Sequence, residues 1–253
     1  MNKVKAQLAP FLAALQFLTV IPVPAYVERT ELVRCQPWFP VVGLVIGLGA
    51  GLAYGLAILL GLPPMVAAMV GVLALSGLNG FLHLDGAADT ADGFFSARTR
   101  DRILDIMRDS RIGTMGVVGL IAVLGLKWSA LASMPADAAW TALILAPVLG
   151  RSAQVLSMNL LPYARPEGGL VSIFMHHPKR SNVYWALGLA VGFALILGGG
   201  SGLVGLMFAA AAGVLFSLWC MRMLAGITGD TVGAITEIVE FTFLCTLAAM
   251  VTV

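Results

Sequence analysis

Three carboxylates at helical spacing mark where this chain could do chemistry. In the stretch H83-L-D-G-A-A-D-T-A-D-G93, Asp85, Asp89 and Asp92 stand at i, i+4 and i+7, one stripe of a helix if it continues through them. Like charges so arranged repel, and a hard divalent ion that takes oxygen ligands is the economical way to offset them. Gly86, Ala87, Ala88, Ala91 and Gly93 between them leave room for a bulky ligand or for close helix packing. The competing reading is a solvated acidic loop neutralised by its own arginines, but a loop has no reason to keep helical register.

A second acid group follows in D101-R-I-L-D-I-M-R-D-S-R-I-G113. Asp101 and Asp105 alternate with Arg98, Arg102 and Arg108 as on an exposed helix laced with ion pairs. Asp109 differs, because it abuts Ser110, Arg111 and the glycines Gly113 and Gly116 at the mouth of an apolar run. Facing the first cluster across a hairpin, it would add a metal ligand, with Arg111 binding phosphate. The third group is T228-G-D-T-V-G-A-I-T-E-I-V-E240, where Asp230, Glu237 and Glu240 share a stripe entering the last apolar run. A charge at that depth costs about 2.5 to 3.5 kcal/mol and needs a partner or a wet cavity. Arg151, after Gly150 inside another run, is the obvious phosphate or carboxylate partner. Lys127 is read as snorkelling to the opposite interface, His83 as touching substrate or orienting a ligand, and His176-His177 as a solvated loop pair.

The elements that hold these groups are membrane helices. The 253 residues are 59% apolar and 11% charged, against about 25% charged in globular proteins, which excludes a soluble enzyme. A net charge of +2 gives no support to nucleic-acid binding. Cys35, Cys220 and Cys245 have no paired spacing, so neither a disulfide framework nor a zinc site is indicated. Seven runs are long enough to span a bilayer: Phe39–Leu60, Met65–Leu82, Ile112–Met134, Ala138–Leu161, Val183–Gly199, Leu203–Leu224 and Val232–Val253. Leu8–Val20, bracketed by Pro10, Pro22 and Pro24, is too short to span and reads as an interfacial or re-entrant helix. The expectation is an all-α polytopic membrane protein forming one domain over 1–253.

Charge sorts the connections. Leu62–Pro64, Pro135–Asp137 and Gly200–Gly202 lack Lys and Arg, whereas the N-terminal segment, Asp85–Arg111, Tyr163–Asn182 and the turn after Arg222 carry them. These sets alternate, so the positive-inside rule puts the N-terminus and the acidic segments at the cytoplasmic face. From the residues alone the chain is a divalent-metal-dependent membrane transferase of phosphoryl or prenyl groups. A secondary transporter is the competing class, but its acids converge near the midplane, whereas Asp85, Asp89, Asp92 and Asp109 sit at one edge. The acidic spacing is loosely like that of the CDP-alcohol phosphotransferases, whose pattern continues with residues that do not fit here.

A closer resemblance is carried by L15-Q-F-L-T-V-I-P-V-P24, H83-L-D-G-A-A-D-T-A-D-G-F94, I106-M-R-D-S-R-I-G-T-M-G116, G150-R-S, Y163-A-R-P-E-G-G169 and T228-G-D-T-V-G-A-I-T-E-I-V-E240. In this order and spacing the chain resembles the cobalamin synthase family, the adenosylcobinamide-GDP ribazoletransferases. The resemblance implies a bacterial or archaeal cytoplasmic-membrane enzyme that uses Mg²⁺. It would join adenosylcobinamide-GDP to α-ribazole or its 5'-phosphate and release GMP, with room for association with other enzymes of nucleotide-loop assembly. On that reading Asp85, Asp89, Asp92 and Asp109 hold metal, and Arg111 and Arg151 stabilise the diphosphate. Asp92 or Glu237 is the base. His83, Ser110, Gly168, Gly169, Thr228 and Asp230 contribute to substrate binding, and Gly168-Gly169 permit close approach of a loop to the corrinoid.

Overall fold

The computed structural model describes residues 3–23, 29–175 and 178–251, which form an all-helical bundle. The helices are α1 (Lys3–Leu18), α2 (Arg29–Arg34), α3 (Phe39–Leu59), α4 (Pro64–Gly77), α5 (Leu82–Phe94), α6 (Arg100–Ile106), α7 (Thr114–Ser133), α8 (Ala136–Leu160), α9 (Ser172–Met175), α10 (Arg180–Leu224) and α11 (Gly229–Val251). The pair His176-His177 lies outside the described residues.

Five elements are long and apolar enough to cross a membrane, and a sixth span results if α4 and α5 count together. The seven expected runs map onto these with two differences. The run 65–82 is broken: α4 ends at Gly77, only 14 residues long, and α5 leaves it at 87°. Gly80 and Phe81 take left-handed backbone (φ 64° and 60°), which a continuing helix does not allow. The bend is tied to the end of α1 by a hydrogen bond from Val20 N to Leu78 O, 2.9 Å. The runs 183–199 and 203–224 are joined in α10, whose helical geometry fails at Gly199 (φ 55°, ψ −139°). Glycine alone adopts that conformation without strain, and the two arms fold back on each other. Ala190 and Ala210, on opposite sides of the break, line one apolar cavity, and a Cβ at Gly202 would strike the Ala194 carbonyl.

The most apolar stretch of α8 is 83% buried, against 28% for α7 and for α10, so α8 is central and the other two turn apolar side chains outward to lipid. Backbone meets backbone where α3 crosses α8, because a Cβ at Gly43 or Gly47 would collide with the carbonyl of Pro147 or Ile144. Small residues allow such approach where no hydrophobic effect drives helices together. Helix α11 packs on α5, α7, α8 and α10. It is the element that brings the polar groups of four others together.

Candidate functional site

Helix α5 is helical through all three acids of the first motif, as the spacing predicted. Its position follows from two close contacts with α11. A Cβ at Gly86 would meet the backbone of Asp230, and one at Gly233 the backbone of His83. The small residues of both motifs therefore bring the two acidic segments together. At their junction lies a cavity of about 200 Å³ whose polar wall includes His83, Asp85, Gln154, Arg165 and Asp230. Its floor is apolar, with Phe17, Leu18, Phe39 and Met158. The loop after α8 closes the rim with Tyr163, Gly169, Leu170 and Val171.

That loop is held in three ways. Ala164 N and Ile227 O (2.8 Å), and Ile227 N and Pro162 O (2.9 Å), form a short bridge to the entry of α11. Arg100 clasps both sides of it, donating from Nε to Leu224 O (2.7 Å) and from Nη2 to Ala164 O (2.6 Å). Arg108 pairs with Glu167. Arg165 is thereby set beside Asp230, Nη2 to Oδ2 at 2.8 Å, and Thr228 donates to the same oxygen at 3.2 Å. Thr228 and Thr231 cap the start of α11 reciprocally. Gly168 has φ 83°, and a side chain at Gly169 would collide with the Tyr163 hydroxyl, so the two glycines let the loop fold over the rim. Burial raises the pKa of that hydroxyl.

The four carboxylates expected to hold one metal do not converge, and among the described residues no three His, Cys, Asp or Glu side chains are grouped to bind an ion. Asp92 is turned to the start of α7, where its carboxylate accepts N–H bonds from Gly113 (2.7 Å) and Gly116 (2.8 Å). It acts as a helix cap supplied from a neighbouring helix. Asp109 is paired instead with Arg111 (2.7 Å), whose side-chain and backbone N–H groups hold its carboxyl at about 2. Both lie with Asp92 around a separate open cavity. Ser110 is exposed and lines neither cavity. The carboxylates of Asp85 and Asp89 remain without a hydrogen bond or ion pair among the described residues. Asp89 feels the like charges of Asp230, Asp85 and Asp92, opposed by Arg165. Such an oxygen-only donor set suits Mg²⁺, which takes one or two carboxylates and completes its shell with water and substrate phosphate.

The intramembrane charges form a site of another kind. Lys127 does not snorkel; it is fully buried and lies 2.5 Å from both Glu237 and Glu240. Arg151, also fully buried, pairs with Glu240, so it does not line the cavity expected to take the diphosphate. Glu237, paired with Lys127 and buried, likewise does not line that cavity, so the base is sought elsewhere. Each charge is costly in the bilayer and is compensated by its opposite. His83 Nδ1 lies 3.3 Å from Arg151 Nη2. Guanidinium only donates, so Nδ1 accepts and the ring proton sits on Nε2; the Gln154 amide 2.6 Å away then meets it with its oxygen, which otherwise has no partner. Both ring nitrogens face protein neighbours, although the residue lines the cavity. Sequence reasoning missed Arg165, Gln154 and the aromatic floor. Arg165 was present in the Y163-A-R motif, and Gln154 stands one turn after Arg151.

A polytopic helical membrane protein with an acidic and apolar cavity at one end of its bundle is the class that this fold and site define. The cobalamin-5-phosphate synthase model matches residues 10–248, and the chain belongs to that family. It is 44% identical over 241 residues to the adenosylcobinamide-GDP ribazoletransferase of Roseiflexus sp. (strain RS-1), covering 94% of this chain and 89% of that protein. Proteins of the same name from Herpetosiphon aurantiacus (41% over 240 residues, 94% and 95% covered) and Syntrophobacter fumaroxidans (38% over 245 residues, 95% and 98%) are similar along their whole length. No solved structure matches.

Proposed function

We propose that the chain transfers the adenosylcobinamide phosphate group of adenosylcobinamide-GDP to α-ribazole or its 5'-phosphate, releasing GMP. The observation that carries this reading is the cavity where Asp85, Asp230 and Arg165 meet above an apolar floor, in a chain of this family. The ribose hydroxyl attacks the cobinamide-linked phosphorus in line with departing GMP, so positioning and electrostatics supply most of the catalysis. Arg165 takes the role expected of Arg111 and Arg151, holding the diphosphate by a charge-assisted contact. Asp230 Oδ2 is engaged by Arg165 and Thr228, and Oδ1 is the oxygen that receives the hydroxyl proton. Asp85 and Asp89 would hold Mg²⁺, which when bound neutralises charge on the phosphate oxygens.

We place the site at the cytoplasmic face. Arg100, Arg108 and Arg165 gather at the cavity end of the bundle, in keeping with the positive-inside rule. The test is GMP release by the purified protein from adenosylcobinamide-GDP, α-ribazole and Mg²⁺. Arg165→Gln should raise KM for adenosylcobinamide-GDP, and Asp230→Asn should lower kcat. Absence of GMP from the wild-type protein would overturn the reading.

A further inference from the structure

We propose that the apolar floor of the cavity seats the flat base of α-ribazole, so that Phe17, Phe39, Met158 and Val232 set which nucleoside the enzyme accepts. The proposal rests on the transferase reading and adds to it where the acceptor sits and what selects it. Size is the first argument. A cavity of about 200 Å³ lies below the roughly 300 to 1,000 Å³ of sites that enclose drug-sized ligands, so the corrin macrocycle stays outside and only a small ring system enters.

Polarity is the second. The two substrates offer two bases, guanine and a benzimidazole. Guanine carries donors and acceptors along its whole edge, whereas the buried lining offers only His83 and Gln154 beside Phe17, Leu18, Phe39, Met158 and Val232, so most of that edge would be left unpaired at a cost. A benzimidazole offers mostly carbon. The mouth is the reverse, with Asp85, Asp230 and Arg165 where the ribose and its reacting hydroxyl would emerge. A nucleoside that is apolar at one end and polar at the other matches this gradient in one orientation.

The third argument is the shape of the floor. Phe17 and Phe39 stack on one another with centroids 5.9 Å apart and planes 18° apart. Phe174 braces both edge-on, at 5.0 Å and 5.7 Å. Packing therefore fixes an aromatic surface before any ligand arrives, and aromatic pairs favour offset or edge-on contact with a further ring. Val232, from the first turn of α11, lies two residues from Asp230 and lines the same cavity, linking the base seat to the reacting end.

The test reads binding of radiolabelled α-ribazole by equilibrium dialysis in detergent, which needs no turnover, beside KM for each substrate. Val232→Phe fills the floor and should weaken α-ribazole binding about tenfold or more, on the scale of methylene discrimination in apolar pockets. It should weaken the riboside of unsubstituted benzimidazole, which lacks the two methyl groups, distinctly less. KM for adenosylcobinamide-GDP should change less than twofold, which also shows that the variant is folded. Phe17→Leu keeps bulk but removes a ring, and should weaken α-ribazole about threefold. If Val232→Phe weakens adenosylcobinamide-GDP and spares α-ribazole, the floor belongs to guanine and the proposal falls. It also falls if wild-type protein releases GMP while both variants bind α-ribazole normally, an outcome that leaves the transferase reading standing. Wild-type protein that binds α-ribazole with the expected variant pattern yet releases no GMP supports the base seat and overturns the transferase reading.

Discussion

Replacing Asp92 by Asn separates a metal ligand from a helix cap. The carboxylate of Asp92 accepts the N–H groups of Gly113 and Gly116 at 2.7 and 2.8 Å. Asparagine keeps one accepting oxygen and turns an amide donor toward the other N–H, so one charge-assisted bond is lost, about 1.5 to 3 kcal/mol. The favourable charge at the start of α7 goes too, about 0.3 to 1 kcal/mol. Because Asp92 is half-buried, solvent screens part of this and the expected loss is about 2 kcal/mol. The assay is reversible unfolding in detergent beside GMP release titrated with Mg²⁺. Asp92→Asn should be destabilised with an unchanged Mg²⁺ requirement. Asp85→Asn removes the same charge from a group with no hydrogen bond among the described residues. It should unfold within about 0.5 kcal/mol of wild type and need more Mg²⁺. Gly116→Ala places a methyl group against the Asp92 carboxylate and should reproduce the Asp92→Asn defect. A stable Asp92→Asn with a raised Mg²⁺ requirement would refute the cap.

Lys127→Met should cost about 3 to 5 kcal/mol by leaving buried carboxylates undercompensated, and Lys127→Met/Glu237→Gln should recover much of that loss in the same unfolding assay. Reporters fused after Leu62 or Gly200 should report the outer face, and those near Arg100 or Lys179 the cytoplasm; a cytoplasmic signal at Leu62 would break the orientation. The Asp109 carboxyl is held near 2 by Arg111, below its unfolded value of about 4. Whatever the pair contributes to stability is complete above that unfolded value and is lost as pH falls toward 2. Between pH 5 and 8, where that contribution is fully present, Arg111→Gln should lower stability slightly, the difference from wild type vanishing as pH falls toward 2, while GMP release stays unchanged.

Helix period made the α5 stripe legible, because three acids at one register can be read without knowing their neighbours. It could not show that α5 turns Asp85 and Asp92 to different cavities, since that depends on the helices packed against each side. The break after Gly77 was hidden in a run whose hydropathy stays high through Leu82, and only left-handed backbone at Gly80 and Phe81 reveals it. Lys127 was misread for a related reason. Its partners stand 110 and 113 positions away, and no local pattern in α7 announces them. The reading of Glu237 and Arg151 as groups needing compensation was right. Hydropathy shows that a buried charge must be answered, but the fold determines which residue answers it.

The buried ion network also sets an order for making the protein. Lys127 and Arg151 belong to α7 and α8, whereas Glu237 and Glu240 belong to α11, the last helix described. During synthesis both cations therefore enter the bilayer before either counterion has been made. Until α11 arrives, two positive charges at membrane depth have only water, lipid phosphate or backbone carbonyls to turn to, at about 2.5 to 3.5 kcal/mol each. The half-made bundle is a strained intermediate, and insertion of the final helix both neutralises it and brings Asp230 to the cavity. A chain halted before α11 would expose that imbalance to the machinery that clears unassembled membrane proteins, so completion of the site and escape from degradation depend on the same event.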